Sequence, residues 1–263
     1  MSRIAKAFER LRSKNEKALI AYIMAGDPSL EATEEYFHSL VDAGVDIVEL
    51  GIPFSDPIAD GPTIQAASNR SLKTGTTPGK VMALARKIRK KDGSTPIIFM
   101  TYYNIFFKHG LEAFAREVSG AVDGFIAPDL PVEESAELLK YCRKYDIDLI
   151  FLVAPTTPEA RIRKIMEHGS GFVYLVSRLG VTGARARLAS SALELLERVM
   201  GYSIPKAVGF GISKPEHVEA IASAGADGIV VGSAFVQIIE QGGDDVAEKL
   251  RKQALELKAA TRK

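Results

Sequence analysis

The sequence predicts an α/β fold, a single (β/α)8 barrel over residues 1–263, on three observations. Short β-rich runs recur, each followed by a turn and a segment of helical periodicity, which is the alternation of a parallel sheet. Eight such runs can be counted, which favours a closed barrel over a doubly wound sheet. The 263-residue length suits one barrel, and no linker or low-complexity tract interrupts it.

From the N-terminus, residues 2–14 place Ile4, Phe8 and Leu11 on one helical stripe, so an extra amphipathic helix precedes the barrel. The strands are expected at 18–24, 46–50, 96–101, 124–126, 148–153, 171–176, 206–210 and 228–231. The alternating helices are expected at 30–43, 78–91, 110–119, 133–145, 159–168, 191–200, 215–224 and 245–260. Between the second strand and its main helix lies an inserted piece, 53–77, with a loop and a short helix that starts near Pro62, where proline suits the first helical position. The basic 249–263 end reads as a solvated helix face.

Composition narrows the function classes. A formal net charge of +1 with interspersed signs carries no footprint for nucleic acid or anionic membrane. No apolar run approaches the roughly 20 residues of a membrane span and no signal segment follows the start, so a cytoplasmic protein is the default. The one cysteine, Cys142, lies in a helical stretch and reads as a buried, inert thiol.

Barrels keep their active sites on the loops at the strand C-termini, and the run from Asp46 to Pro62 is the richest of these. Strand alternation puts Glu49 on the same side as Ile47; if that side faces the barrel, a carboxyl stands in its mouth with a raised pKa and can donate a proton near neutrality. A strand-end Glu facing solvent or a helix is the alternative. Asp60 before Gly61-Pro62 reads either as a routine helix N-cap or as a second carboxylate returned over the mouth by a proline-stiffened loop.

Two glycine motifs, Gly209-Phe210-Gly211 and Gly232-Ser233-Ala234, follow the last two strands, where barrels often bind phosphate through backbone N–H groups. A phosphorylated substrate is expected. The loop 177–185 has two glycines and few core anchors, as a closing lid does; Thr182 is placed to hydrogen-bond a catalytic carboxylate on closure and the Gly183 N–H to meet phosphate. The four histidines, His38, His109, His168 and His217, do not cluster as metal ligands do, and Lys17 and Lys206 sit at strand starts, the wrong end for a Schiff base. No metal is expected, and carboxylate acid–base chemistry remains.

These residues resemble the tryptophan synthase α family over essentially the whole chain. The run Glu49-Leu50-Gly51-Ile52-Pro53-Phe54-Ser55-Asp56-Pro57 through Asp60-Gly61-Pro62 is highly specific to it. Ala25-Gly26-Asp27-Pro28, Met100-Thr101-Tyr102-Tyr103-Asn104, Pro128-Asp129-Leu130-Pro131, Ser177 to Gly183 and Gly209-Phe210-Gly211 support it. The resemblance implies retro-aldol cleavage of indole-3-glycerol phosphate to indole and glyceraldehyde 3-phosphate, with Glu49 moving protons and Asp60 stabilising charge at the ring N–H. It puts Tyr22, Ile64, Met100 and Ile126 on the indole side and Tyr174 near Glu49. It implies no cofactor on this chain, and an αββα complex in which indole passes to a β subunit that carries pyridoxal phosphate. Pro53, Phe54, Asp56, Pro57, Asn104, Phe107, Asp129 and Pro131 match the β-facing surface. An allosteric activator of the β subunit and a standalone indole-forming lyase are the alternative readings.

Overall fold

The computed structural model describes residues 1–176, 184–209 and 211–262, the side chains of 184–191 excepted. Its strands are β1 (Ala18–Met24), β2 (Ile47–Gly51), β3 (Ile97–Met100), β4 (Gly124–Ile126), β5 (Asp148–Ile150), β6 (Leu152–Val153), β7 (Val173–Val176), β8 (Lys206–Gly209) and β9 (Gly228–Val231). All pair in parallel, in the order β5-β4-β3-β2-β1-β9-β8-β7-β6. The two ends of that order are the halves of the strand expected at 148–153. The Phe151 carbonyl between them accepts from the Tyr174 N–H at 3.0 Å, so the sheet closes as an eight-stranded barrel.

Period-two alternation sorts the strand residues into two shells. Ile20, Ile47, Ile98, Ile126, Ile150, Phe172 and Val230 fill the barrel interior together with Ile4, Phe8 and Leu11 of α1 (Arg3–Ser13), which therefore plugs the floor. The outward residues, among them Leu19, Val48, Leu50 and Phe99, pack against the surrounding helices.

At the floor a single device repeats. The polar residue ahead of β2, β4, β7 and β9 accepts a backbone N–H from near the start of β1, β3, β5 and β8 respectively. Asp46 takes the Leu19 N–H at 3.0 Å, Asp123 that of Ile97 at 2.8 Å, Ser170 that of Leu149 at 3.1 Å and Asp227 that of Lys206 at 2.9 Å. Two of these carboxylates also hold cations: Asp123 binds Arg3 and Arg89, while Asp46 binds Arg10 and Lys258. Lys258 corrects the reading of a wholly solvated C-terminal face. It belongs to α12 (Val246–Ala259), yet it is 4% exposed and also pairs with Glu16.

The other helices are α2 (Leu30–Asp42), α3 (Pro62–Lys73), α4 (Pro78–Lys91), α5 (Tyr103–His109), α6 (Leu111–Val118), α7 (Ala136–Lys144), α8 (Glu159–His168), α9 (Ala184–Val199), α10 (Pro215–Ser223) and α11 (Ser233–Gln241). Four depart from expectation. Segment α5 reads as loop in the sequence, but Phe106 buries itself between Phe114 and Phe125, 4.7 and 5.0 Å between ring centroids, and that distant packing holds the turn helical. Helix α11 follows β9 after one residue, so its apolar Phe235, Val236 and Ile239 merge with the strand's own run. Helix α9 begins at Ala184, so Ala184 and Arg185 are helical rather than part of a loop. The helix expected from 133 starts as a 3-10 turn, Val132–Glu134, before α7. Among the described residues no helix is long and apolar enough to cross a membrane.

Candidate active site

Glu49 points into the barrel. It shares the inward parity of Ile47, lies beside Tyr22 and Ile98 in register, and is 1% exposed. Among the described residues its Oε1 has no hydrogen-bond partner. Burial without compensation disfavours the charged form, and it pushes the Glu49 carboxyl up to about 8. The solvent-facing alternative for Glu49 is thereby removed.

Asp60 is not the cap of α3. Gly61 occupies that position with no side-chain hydrogen bond, and the Asp60 carboxylate accepts instead from the Tyr102 hydroxyl at 3.0 Å. The same hydroxyl accepts from the Ala59 N–H at 2.9 Å, so Tyr102 ties both side chain and backbone of this loop to the end of β3. Burial raises the Asp60 pKa, and the Tyr102 hydrogen bond partly offsets that by favouring the ionised form. Two carboxyls thus face one space in different environments, the condition for dividing acid and base roles.

That space is a cavity of about 360 Å³ at the C-terminal ends of the strands, within the range of small-molecule sites. Glu49, Asp60, Tyr22, Ile64, Met100, Ile126 and Tyr174 line it, as do Gly211, Gly232 and Ser233. A larger hollow of about 1360 Å³ lies at the floor, bounded by Arg3, Asp46, Asp123 and Asp148. It is the weaker candidate, because its acids already have partners and barrels place their chemistry at the opposite end.

Both tyrosines owe their positions to glycines on the neighbouring strand. A Cβ at Gly51 would stand 2.2 Å from the Tyr22 hydroxyl, and one at Gly209 would stand 2.3 Å from that of Tyr174. Each tyrosine leans diagonally over a glycine two positions beyond its register partner, so the two rings stand in the mouth beside Glu49. Burial, and secondarily the nearby Glu49 and Asp60 carboxylates, raise both phenols well above their ordinary range, which keeps them protonated.

At the other end of the cavity, Gly211 has φ +70°, and Gly232 precedes α11 with no side-chain cap. Among the described residues nothing caps the first turn of that helix, so its N–H groups offer an anion the positive end of the helix dipole. Thr182, Gly183 and Phe210, also expected here, lie outside the described residues. Among the described residues no three of His, Cys, Asp and Glu converge to hold a metal ion. Cys142 is buried, and burial pushes its thiol up to about 12.

Of the surface residues expected to face a partner, Asp56, Asn104, Phe107, Asp129 and Pro131 are exposed around the mouth, Phe107 to 63%. Asn104 and Phe107 stand on α5 rather than on a loop. Pro53 is buried and Phe54 is stacked on Tyr102 with centroids 5.1 Å apart; Pro57 is half-buried. Exposed Ile58, at 83%, extends this apolar rim and is absent from the sequence-based set. Tyr102 is the other omission. Its signal was a tyrosine at a strand C-terminus, whose hydroxyl must find a polar partner when its ring is buried.

A family model described as "Tryptophan synthase alpha chain" matches residues 8–262. The tryptophan synthase alpha chain of Methanosarcina mazei is 54% identical over 258 residues, covering 98% of this chain and 93% of that one. That of Methanocaldococcus jannaschii is 52% identical over 245 residues, with 92% and 86% covered. Among solved structures, tryptophan synthase subunit alpha from Legionella pneumophila superposes with a TM-score of 0.91 at 36% identity, covering 99% and 98%. A chain of the tryptophan synthase complex of Pyrococcus furiosus superposes with a TM-score of 0.84 at 40% identity, covering 92% and 98%.

Proposed function

The chain belongs to the tryptophan synthase alpha chain family, and from that premise we propose how its cavity works. The reaction is cleavage of indole-3-glycerol phosphate to indole in tryptophan biosynthesis, with glyceraldehyde 3-phosphate as the other fragment. In this reading the indole ring lies among Tyr22, Ile64, Met100, Ile126 and Tyr174. The phosphate meets the N-terminus of α11 at Gly232 and Ser233, with Gly211 beside it. Thr182, Gly183 and Phe210 complete the lid and phosphate contacts.

Glu49 is the proton carrier. Held neutral near pH 7, it donates to the ring carbon that bears the glycerol side chain, and the ring becomes cationic. Asp60, kept ionised with the help of Tyr102, stabilises that charge at the ring N–H. The Glu49 carboxylate then takes the proton of the adjacent glycerol hydroxyl. The carbon–carbon bond breaks, its electron pair returns to the ring, and the alkoxide carbon becomes the aldehyde. One proton enters at carbon and one leaves oxygen, so Glu49 ends as it began.

The observation that carries this reading is the buried Glu49 oxygen, unpartnered among the described residues, facing the same cavity as Asp60. Its test is steady-state indole release at neutral pH. Glu49→Gln is expected to lose about 10³-fold in kcat, the scale of a positioned proton donor, and Asp60→Asn about 10²-fold, the scale of one charge-stabilising contact. Wild-type turnover in both would sink the assignment.

As a member of this family the chain partners with a β subunit. We assign the contact to the rim of the mouth, through Phe54, Asp56, Pro57, Asn104, Phe107, Asp129 and Pro131 with Pro53 buried beneath them, in an αββα heterotetramer. Indole leaving the cavity passes there to the β subunit, which carries pyridoxal phosphate, and this chain carries no cofactor of its own. The complex works in the cytoplasm.

A further inference from the structure

Helices α3 and α11 both start at the cavity, α3 beside Asp60 and α11 at Ser233. Near the cavity they meet through a small apolar cluster, in which Ala67 and Val236 pack with Tyr22 and Met24 of β1 and with Ile64. Farther along, the two helices and the end of β1 are joined by one side chain. The Arg70 guanidinium donates to both oxygens of Asp27, at 2.9 and 2.8 Å, and to Glu240 of α11 at 2.7 Å. Asp27 is 1% exposed, so its charge is held in a nearly dry position. The next residue, Ser71, donates to the Ala25 carbonyl at 2.6 Å, and Thr74 donates to that of Gly26 at 3.2 Å.

We propose that Arg70 is a positioning residue for the cleavage reaction: its fork onto Asp27 and Glu240 fixes the segment that carries Asp60 relative to the helix that receives the phosphate. The proposal rests on the assignment of the ring end to Asp60 and the phosphate end to α11. Arg70 lies eight residues from Pro62, about 12 Å along the helix axis. A tilt of about 5° at that anchor therefore moves the start of α3 by about 1 Å, and a displacement of that size costs up to about 10²-fold in rate. Lysine keeps the charge but cannot form the planar two-pronged contact. The Glu240 arm, partly open to solvent on both sides, contributes less than the Asp27 arm.

A spacing defect has a signature that general loosening lacks. Each end of the site still binds its own fragment, while the whole substrate is handled badly because the two ends no longer match it. The experiment measures kcat for indole release and the inhibition constants of two fragments, inorganic phosphate and indole, in wild type, Arg70→Lys and Glu240→Gln, well below the melting temperature. Arg70→Lys is expected to lose about tenfold in kcat and Glu240→Gln two- to threefold, with both fragment constants within twofold of wild type. Wild-type kcat in folded Arg70→Lys overturns the proposal, as does a loss of fragment affinity matching the loss of turnover. If Arg70→Lys fails to fold, Glu240→Gln decides by the same two criteria. Glu49→Gln and Asp60→Asn, assayed alongside, report on the underlying site assignment independently: wild-type turnover in those two sinks that assignment whatever Arg70 does.

Discussion

Asp46 lies just ahead of β2 and Glu49 within it, and both are almost fully buried, 6% and 1% exposed. At the floor, Asp46 receives the Leu19 N–H, Arg10 and Lys258. At the mouth, one Glu49 oxygen receives no hydrogen bond from the described residues. Burial alone therefore does not assign a role to a carboxyl. With donors around it, the group is a structural anion that fastens strands and helices together. Without them, it keeps its proton near neutrality and is free to move it, at a cost in stability that the rest of the barrel offsets.

The sharpest way to expose that contrast is to follow stability with pH. Glu49 in the folded chain titrates at about 8, above its ordinary 4.5. Between those values the folded state holds a proton that the unfolded chain releases, so stability falls as pH rises through the window. Relative to Glu49→Gln, the wild type is expected to lose on the order of 1.4 kcal/mol per pH unit between about pH 5 and pH 8. Denaturant midpoints of the two proteins measured across that range would settle it; parallel profiles would refute the unpaired acid.

At the floor the expected effect is on folding alone. Lys258→Met strips Asp46 of its buried cation and should cost about 3 kcal/mol, read as a lowered denaturation midpoint. The turnover of the folded variant should stay within twofold of wild type. A comparable drop in kcat would mean that floor and mouth are coupled rather than independent.

The smallest effect sharpens the mouth itself. Tyr102→Phe removes the hydrogen bond that favours ionised Asp60 and is expected to lower kcat/KM severalfold, about 1 kcal/mol. Because burial then raises the Asp60 pKa unopposed, the acidic limb of the pH–rate profile should move to higher pH. A profile with an unmoved limb would remove Tyr102 from the account.

Much of the barrel was legible because its signals are local. Period-two alternation set Ile47 and Glu49 on one face, and the stripe of Ile4, Phe8 and Leu11 announced α1. Two of the failures come from contacts outside the segment itself, and a third from two elements running together. Helix α5 depends on Phe106 meeting Phe114 and Phe125, and α11 hides its period behind β9. A lysine in a basic tail turned inward because the partner of Lys258 lies 212 residues away in sequence.

By itself the sequence determined that Glu49 shares one face of β2 with Ile47, since strand parity is a property of the backbone and needs no neighbour; that this face is the barrel interior came from the structure. It also supplied the glycines opposite Tyr22 and Tyr174, although their meaning emerged only from the register. The tertiary structure decided what each acid does. Whether Asp60 caps a helix or faces the cavity, and whether Glu49 is paired or left alone, depends on which donors come within about 3 Å. Those donors arrive from other strands and helices, so no local pattern contains them.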